Sequence, residues 1–257
     1  MICLSKNLTD EYVNMFAQGA NLPVQDYNTD FRDNPILIRS MGKRKLIQWC
    51  WENSHDFYYM DSGYIGNYKS NINPNGWKSF HRIVKNDVQH SIIIERPDDR
   101  WKQLEFPIQP RKTGSHILLV IPSEKPCKFY NIELNAWKTE TINVIKQYTG
   151  RPIIIRDKAA RQTRLSNTIF HDLNNAHALV TFNSIAAVES VVYGVPAFTL
   201  APTAADPVCD KNLSNIENPT IYDMDYLNSW ANHIAYGQFH IDEFKDGSAW
   251  RILNERC

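Results

Sequence analysis

HALVTFNSIAAVESVVYGVPAFTL, residues 177–200, sets two apolar runs either side of a polar turn and a short helical run that stops at a glycine. Apolar runs without polar alternation suit strands covered on both faces, as in a parallel sheet. Asn183 and Ser184 sit where the first run ends, and both are common N-cap residues. A helix beginning there offers unpaired amides and the positive end of its dipole, which favours a phosphate or other anion. The stretch therefore predicts a strand–turn–helix–strand unit with an anionic ligand at the turn, or simply a well-capped helix.

The neighbouring sequence continues the alternation. HILLVIPS (116–123) and RPIIIRDK (151–158) read as strands, and NIELNAWKTETINVIKQYTG (131–150) and RLSNTIFHDLNNA (164–176) as helices. Strands separated by helices are the mark of βαβ units and a parallel sheet. The fold class is therefore α/β, with a small doubly wound parallel sheet in the C-terminal half. The first half is less regular. TDEYVNMFAQGA (9–20) reads as a helix capped by Thr9, NPILIRS, DFYYMDS and HSIIIE as strands, and GKRKLIQWCWENS as a helix. Residues 62–80 form a long loop rich in Gly, Asn and aromatics, a length that usually signals function or disorder. The proline- and charge-rich stretch 97–115 marks the boundary, giving domains 1–112 and 113–257. The tail is helical, and its aromatics suit packing.

Composition narrows the function classes. Acidic and basic residues number 28 each, so bulk charge gives no pull toward nucleic acid or membrane. GKRKLIQW, PRK and RDKAARQTR are local basic clusters, either solvated faces or contacts for phosphate. Five scattered cysteines fit reduced thiols rather than a disulfide framework or zinc site. The N-terminus lacks the pattern of a signal peptide, and no apolar run approaches the roughly 20 residues of a membrane span. A cytoplasmic protein without a metal is expected. GxGxxG after a strand, GxxxxGK[ST], HExxH and GxSxG are all absent, which counts against dehydrogenases, P-loop NTPases, zinc proteases and serine hydrolases.

Open α/β sheets bind ligands at the carboxyl ends of their strands. The residues following each strand of the second half make a consistent set: Ser123, then Arg156 and Lys158, then Asn183 and Ser184, then Pro202 and Thr203. Hydroxyls and cations on one edge suit a diphosphate, with arginine able to bind it bidentately. Arg161 and Arg164 open a helix where cations oppose the dipole, which favours a phosphate-binding role.

The run ALVTFNSIAAVESVVYGVPAFTL resembles the donor-binding half of GT-B glycosyltransferases, especially those of capsule-polysaccharide type, through Thr181, Asn183, Ser184, Glu189, Gly194 and Pro196. The wider stretch 150–257 is similar to glycosyltransferase-like proteins encoded by tailed phages. The resemblance implies two Rossmann-like halves, the N-terminal one reduced, with a final helical segment packing back on the first half. It implies a nucleotide-sugar co-substrate, UDP-linked, and no cofactor. Glu189 would then bind ribose, or else be a solvent-facing or buried and paired helix residue. In inverting members a carboxylate of the first domain serves as base. Asp61, at the end of an apolar strand, is the candidate by position, with turn capping as its ordinary alternative. Tyr64, His81 and Arg82 flank the long loop and are candidates for acceptor binding, or for structural roles. The acceptor hydroxyl suggested by the phage-like resemblance is a hydroxymethylated pyrimidine of DNA, in a host cytoplasm. A surface polysaccharide is the alternative acceptor, and a nucleotide-sugar epimerase or a non-catalytic binder are alternatives on the same fold. Oligomeric state is left open.

Overall fold

A computed structural model of the chain describes residues 1–67, 79–157 and 168–255. Lys158, Arg161, Arg164 and most of the 62–80 loop lie outside the described residues. In chain order the strands are β1 (Ile2–Leu4), β2 (Val24–Gln25), β3 (Ile36–Arg39), β4 (Phe57–Ser62), β5 (Phe80–Lys85), β6 (His116–Val120), β7 (Ile153–Arg156), β8 (Ala176–Thr181), β9 (Ala197–Thr199) and β10 (Gln238–His240). The helices are α1 (Glu11–Gly19), α2 (Arg44–Glu52), α3 (Asp99–Gln103), α4 (Glu124–Tyr130), α5 (Leu134–Tyr148), α6 (Ile169–Leu173), α7 (Ala186–Val192), α8 (Met224–Tyr236), α9 (Ile241–Lys245) and α10 (Ser248–Asn254). The described residues form two compact units, one of residues 1–67, 79–88 and 237–255, the other of 89–157 and 168–236.

The second unit holds residues 177–200. Its sheet has the order β7-β6-β8-β9 and every pairing is parallel. The chain leaves β6 toward β7, then returns past β6 to β8, so the topological switch lies between β6 and β8. The apolar runs pack as their composition demands: Ile117, Leu119, Ala178, Val180 and Phe198 are fully buried together with Ile145 of α5. Burial on this scale, roughly 2 kcal/mol for each large side chain, holds the sheet against its helices.

The sequence reading divided the chain at 112/113; it divides at 88/89 and again at 236/237. Residues 89–112 belong to the second unit because their backbone is bonded into it. Gln109 donates its amide to the Val192 carbonyl at 2.8 Å and Lys112 to that of Gly194 at 2.7 Å. Gly194 has φ +85°, and a Cβ there would lie 2.2 Å from the Pro110 carbonyl oxygen, so only glycine fits. HSIIIE (90–95) is not a strand: Ile92 and Ile94 are 66% and 44% exposed, and among the described residues no strand pairs with them. The strand of this region is β5, ten residues earlier than the start of that run.

The first unit is built on a six-stranded sheet of order β10-β5-β4-β3-β1-β2. Strands β2, β1, β3 and β4 are parallel, whereas β5 runs antiparallel to β4 and β10 antiparallel to β5. The N-cap of α1 is Asp10, not Thr9: its carboxylate accepts from the amides of Tyr12 and Val13, while the Thr9 hydroxyl donates to the Lys6 carbonyl. The tail is not wholly helical, since β10 interrupts it. Beyond β10, α9 and α10 pack on α1, with Phe16 edge-on to Phe244 at 5.3 Å and to Trp250 at 6.2 Å. The approach is so close that a Cβ on Gly19 would stand 1.9 Å from the Phe244 carbonyl oxygen. Among the described residues no helix is long and apolar enough to cross a membrane.

Candidate active site

The carboxyl edge of each sheet carries a distinct set of groups. In the second unit, the switch point is flanked by Ser123, the N-cap of α4, and by the turn Phe182-Asn183-Ser184. The Thr181 hydroxyl donates across to the Val120 carbonyl at 3.1 Å, joining the two central strands at their carboxyl ends. Asn183 is 6% exposed, yet its Nδ2 has no hydrogen-bonding partner among the described residues. A buried amide left unpaired costs on the order of 1–3 kcal/mol, so it marks a group that a ligand would satisfy. The Ser184 hydroxyl accepts from the Ala186 amide at 3.2 Å and its carbonyl from that of Ala187 at 3.1 Å. These bonds occupy the first amides of α7, which leaves the amides of Asn183, Ser184 and Ile185 without an acceptor among the described residues.

Arg156 ends β7 and is ion-paired to Asp172 of α6. Its charge is therefore met within the protein, which weakens the expectation of an unpaired cation for a diphosphate. Asp172 was not singled out in the sequence, because nothing in a helix residue 16 positions further along the chain reports which arginine it faces. Glu189 lies in α7. Burial pushes its carboxyl up to about 7, the Arg156 charge opposing only in part. Pro202 is exposed, but Thr203 is 2% exposed and bonded into its own turn. Its hydroxyl donates to Asp206 at 3.2 Å and accepts from the Ala205 amide at 3.1 Å. The Ala204 carbonyl accepts from the indole of the fully buried Trp230 at 2.7 Å, which anchors this loop.

In the first unit, Asp61 stands at the carboxyl end of β4. The antiparallel register places it opposite Arg82 of β5. The Tyr59 hydroxyl donates to Asp61 Oδ2 at 2.6 Å, the Ser62 amide donates to Oδ1 at 2.8 Å, and Arg82 Nη2 lies 4.0 Å from Oδ2. Burial works against the Asp61 charge, but Arg82, the Tyr59 hydroxyl and the Ser62 amide outweigh it and hold the carboxyl below its usual range. Asp61 is thus an ionised, oriented carboxylate, and 32% of its side-chain surface remains open to solvent. It combines the turn contact expected of an aspartate with the accessibility that a base requires.

The other candidates of this half take internal roles. His81 is fully buried, its ring 4.3 Å from that of Tyr12 and 5.7 Å from that of Phe244, so it packs rather than faces an acceptor. Tyr64 is 1% and Arg82 5% exposed. Arg82 donates to the Ser62 carbonyl at 2.7 Å and lies over the Tyr59 and Tyr64 rings, so it orients Asp61 from below. The loop after Asp61 is fixed by Gln238 of β10, whose Oε1 accepts from the amides of Tyr64 at 2.7 Å and Ile65 at 3.1 Å. Sequence reasoning missed Tyr59 and Gln238; the i, i+2 spacing of Tyr59 and Asp61 on one strand face was the available signal for the first. Among the described residues no cluster of His, Cys, Asp or Glu is arranged to hold a metal ion.

No family profile and no curated protein matches the sequence. Solved structures do. The β-Kdo 2,4 transferase KpsC of Thermosulfurimonas dismutans aligns over 93% of this chain and 91% of its own, with a TM-score of 0.57 at 11% identity. The β-Kdo 2,7 transferase KpsC of the same organism aligns over 100% and 99%, with a TM-score of 0.53 at 9% identity. At such identities the likeness concerns architecture, and it establishes a GT-B-like fold, in agreement with the capsule-type resemblance of 177–200.

Proposed function

We propose that the chain is a glycosyltransferase that moves a sugar from a nucleotide-activated donor to a hydroxyl of a polysaccharide. The observation that carries this reading is Asp61: an ionised carboxylate, oriented from three sides and partly open, at the carboxyl end of a strand in a GT-B-like fold. As base, Asp61 accepts the proton of the acceptor hydroxyl while that oxygen attacks the anomeric carbon and the nucleotide departs. The second unit binds the donor. Asn183 Nδ2 and the free amides of its turn hydrogen-bond the leaving group, and Ser123, Arg156, Ser184, Glu189 and Pro202 line the same edge. Thr203 shapes the loop rather than contacting the donor.

One observation favours a saccharide acceptor over hydroxymethylated DNA: both solved neighbours are named for transfer of the sugar Kdo. The test is incubation of the chain with UDP-sugars and activated Kdo, each with a saccharide acceptor or with hydroxymethylated DNA, followed by mass spectrometry. Transfer to the saccharide, lost by at least about a hundredfold in Asp61→Asn with donor binding retained, is the expected result. Transfer to the nucleoside alone would move the proposal to DNA. Binding of no donor would end it.

A further inference from the structure

The first unit has a switch point of its own. Its chain leaves β1 toward β2 and leaves β3 toward β4, so a crevice opens between the carboxyl ends of β1 and β3. None of the candidate donor, base or acceptor residues lies there. Strand β1 runs into Ser5-Lys6-Asn7, β2 into Asp26-Tyr27, and β3 into Ser40–Lys43. The Ser5 amide donates to the Gln25 carbonyl at 2.9 Å and the Asn7 amide to Asp26 Oδ2 at 2.6 Å, which ties the first two exits together. Lys43 is rooted beyond β3, but its Nζ lies 3.5 Å from the centre of the Tyr27 ring beyond β2. Because β1 lies between β3 and β2, the Lys43 side chain spans the end of β1, where Lys6 is exposed.

The charges here do not balance internally. Asp10 is bound by Arg39 at 2.7 Å and caps α1, and Asp26 accepts the amides of Asn7 and Asn28. Neither Lys6 nor Lys43 has a carboxylate within ion-pair distance among the described residues. Burial, then the Lys6 charge, press the Lys43 ammonium below its usual range, with Asp26 opposing. Two like charges held over one crevice repel each other, and an anion between them relieves that repulsion. The backbone there also takes left-handed values, φ 50° at Asn7, 58° at Leu8 and 79° at Ser40, of the kind that collects at ligand sites.

We propose that this crevice is an oxyanion subsite in which Lys6 and Lys43 hold a carboxylate or phosphate carried by the acceptor saccharide. The assignment to the acceptor rests on the glycosyltransferase reading; the binding of an anion does not. Met60, next to Asp61 on β4, pairs with Arg39 of β3. At about 4.8 Å per strand, the crevice and the base are on the order of 10 Å apart along one sheet edge, a span that a short oligosaccharide covers.

The test is calorimetric titration of the full chain with trigalacturonate, mannose 6-phosphate and neutral maltotriose. At least one anionic sugar binds, more weakly as salt is raised, and the responding sugar tells carboxylate from phosphate. Lys6→Gln and Lys43→Gln each lower its affinity about tenfold, whereas Lys85→Gln, at the opposite edge of the sheet, leaves it unchanged. Salt dependence in the unaltered chain checks the result independently of how the variants fold. Anionic sugars that bind no better than maltotriose, or a folded double variant that binds them undiminished, would overturn the proposal. Donor turnover is followed in the same preparations. Turnover without anion binding removes only the subsite, and anion binding without any donor turnover removes the transferase reading and leaves the subsite standing.

Discussion

Replacing Glu189 by glutamine should stabilise the second unit, and by an amount that depends on pH. The carboxyl titrates at about 7 in the folded chain against an ordinary 4.5, because burial penalises its charge more than Arg156 favours it. Between those two values the unfolded chain releases a proton that the folded chain keeps, so stability falls as pH rises through this window. Below it the native interaction is intact, and above it the full penalty is present. Glutamine mimics the neutral acid at every pH. Glu189→Gln should therefore match the parent near pH 4.5 and exceed it by about 1 kcal/mol at pH 5, about 2 at pH 6 and about 3 at pH 8. These are upper bounds, since the side chain keeps some contact with solvent. Urea unfolding followed by circular dichroism, at fixed ionic strength from pH 4.5 to 8, measures the difference. A gain that is the same at pH 5 and pH 8, or a variant less stable than the parent at pH 8, would refute the account of a desolvated, uncompensated acid.

Three other substitutions probe neighbouring features. Asp172→Ala releases Arg156 from its ion pair and lets it turn to Glu189, so the pH dependence just described should flatten in the same titration. Tyr59→Phe removes a hydrogen bond to the ionised Asp61 and should raise the acid limb of the pH–rate profile for transfer by about one unit. Gly19→Ala drives a methyl group into the Phe244 carbonyl and should cost at least about 2 kcal/mol, read as a lowered Tm; an unchanged Tm would contradict the close packing of α1 on α9.

Much of the second unit was legible because parallel strands buried on both faces leave unbroken apolar runs, as in HILLVI and HALVTF. What failed was pairing, which a single run does not encode. HSIIIE is as β-prone as any stretch in the chain, but among the described residues no strand lies beside it, whereas FHRIVK forms β5 between β4 and β10. Strands of three residues, such as ICL and QFH, are too short to show a period. At the site, Asp61 could be found from its place at a strand end. Its partner Arg82 could not, because it reaches Asp61 through antiparallel register, nor could Gln238, which holds the following loop at Tyr64 from 174 residues away in sequence. Thr203 and His81 show the converse: residue types that suit ligands are also those that satisfy turns and fill aromatic cores.

The bond from Gln238 to the loop after Asp61 has a consequence for synthesis on the ribosome. Residues 1–67 emerge before the second unit, yet the strand that closes their sheet and clamps that loop is not available until that whole unit has been made. The described residues of the second unit all fall between 89 and 236, so it can fold as it emerges, while the first waits with the edge of β5 unpaired and open to aggregation. The loop that follows Asp61 is then clamped only after the second unit has been made. Release of the chain short of residue 240 would leave the second unit complete and the first without its closing strand.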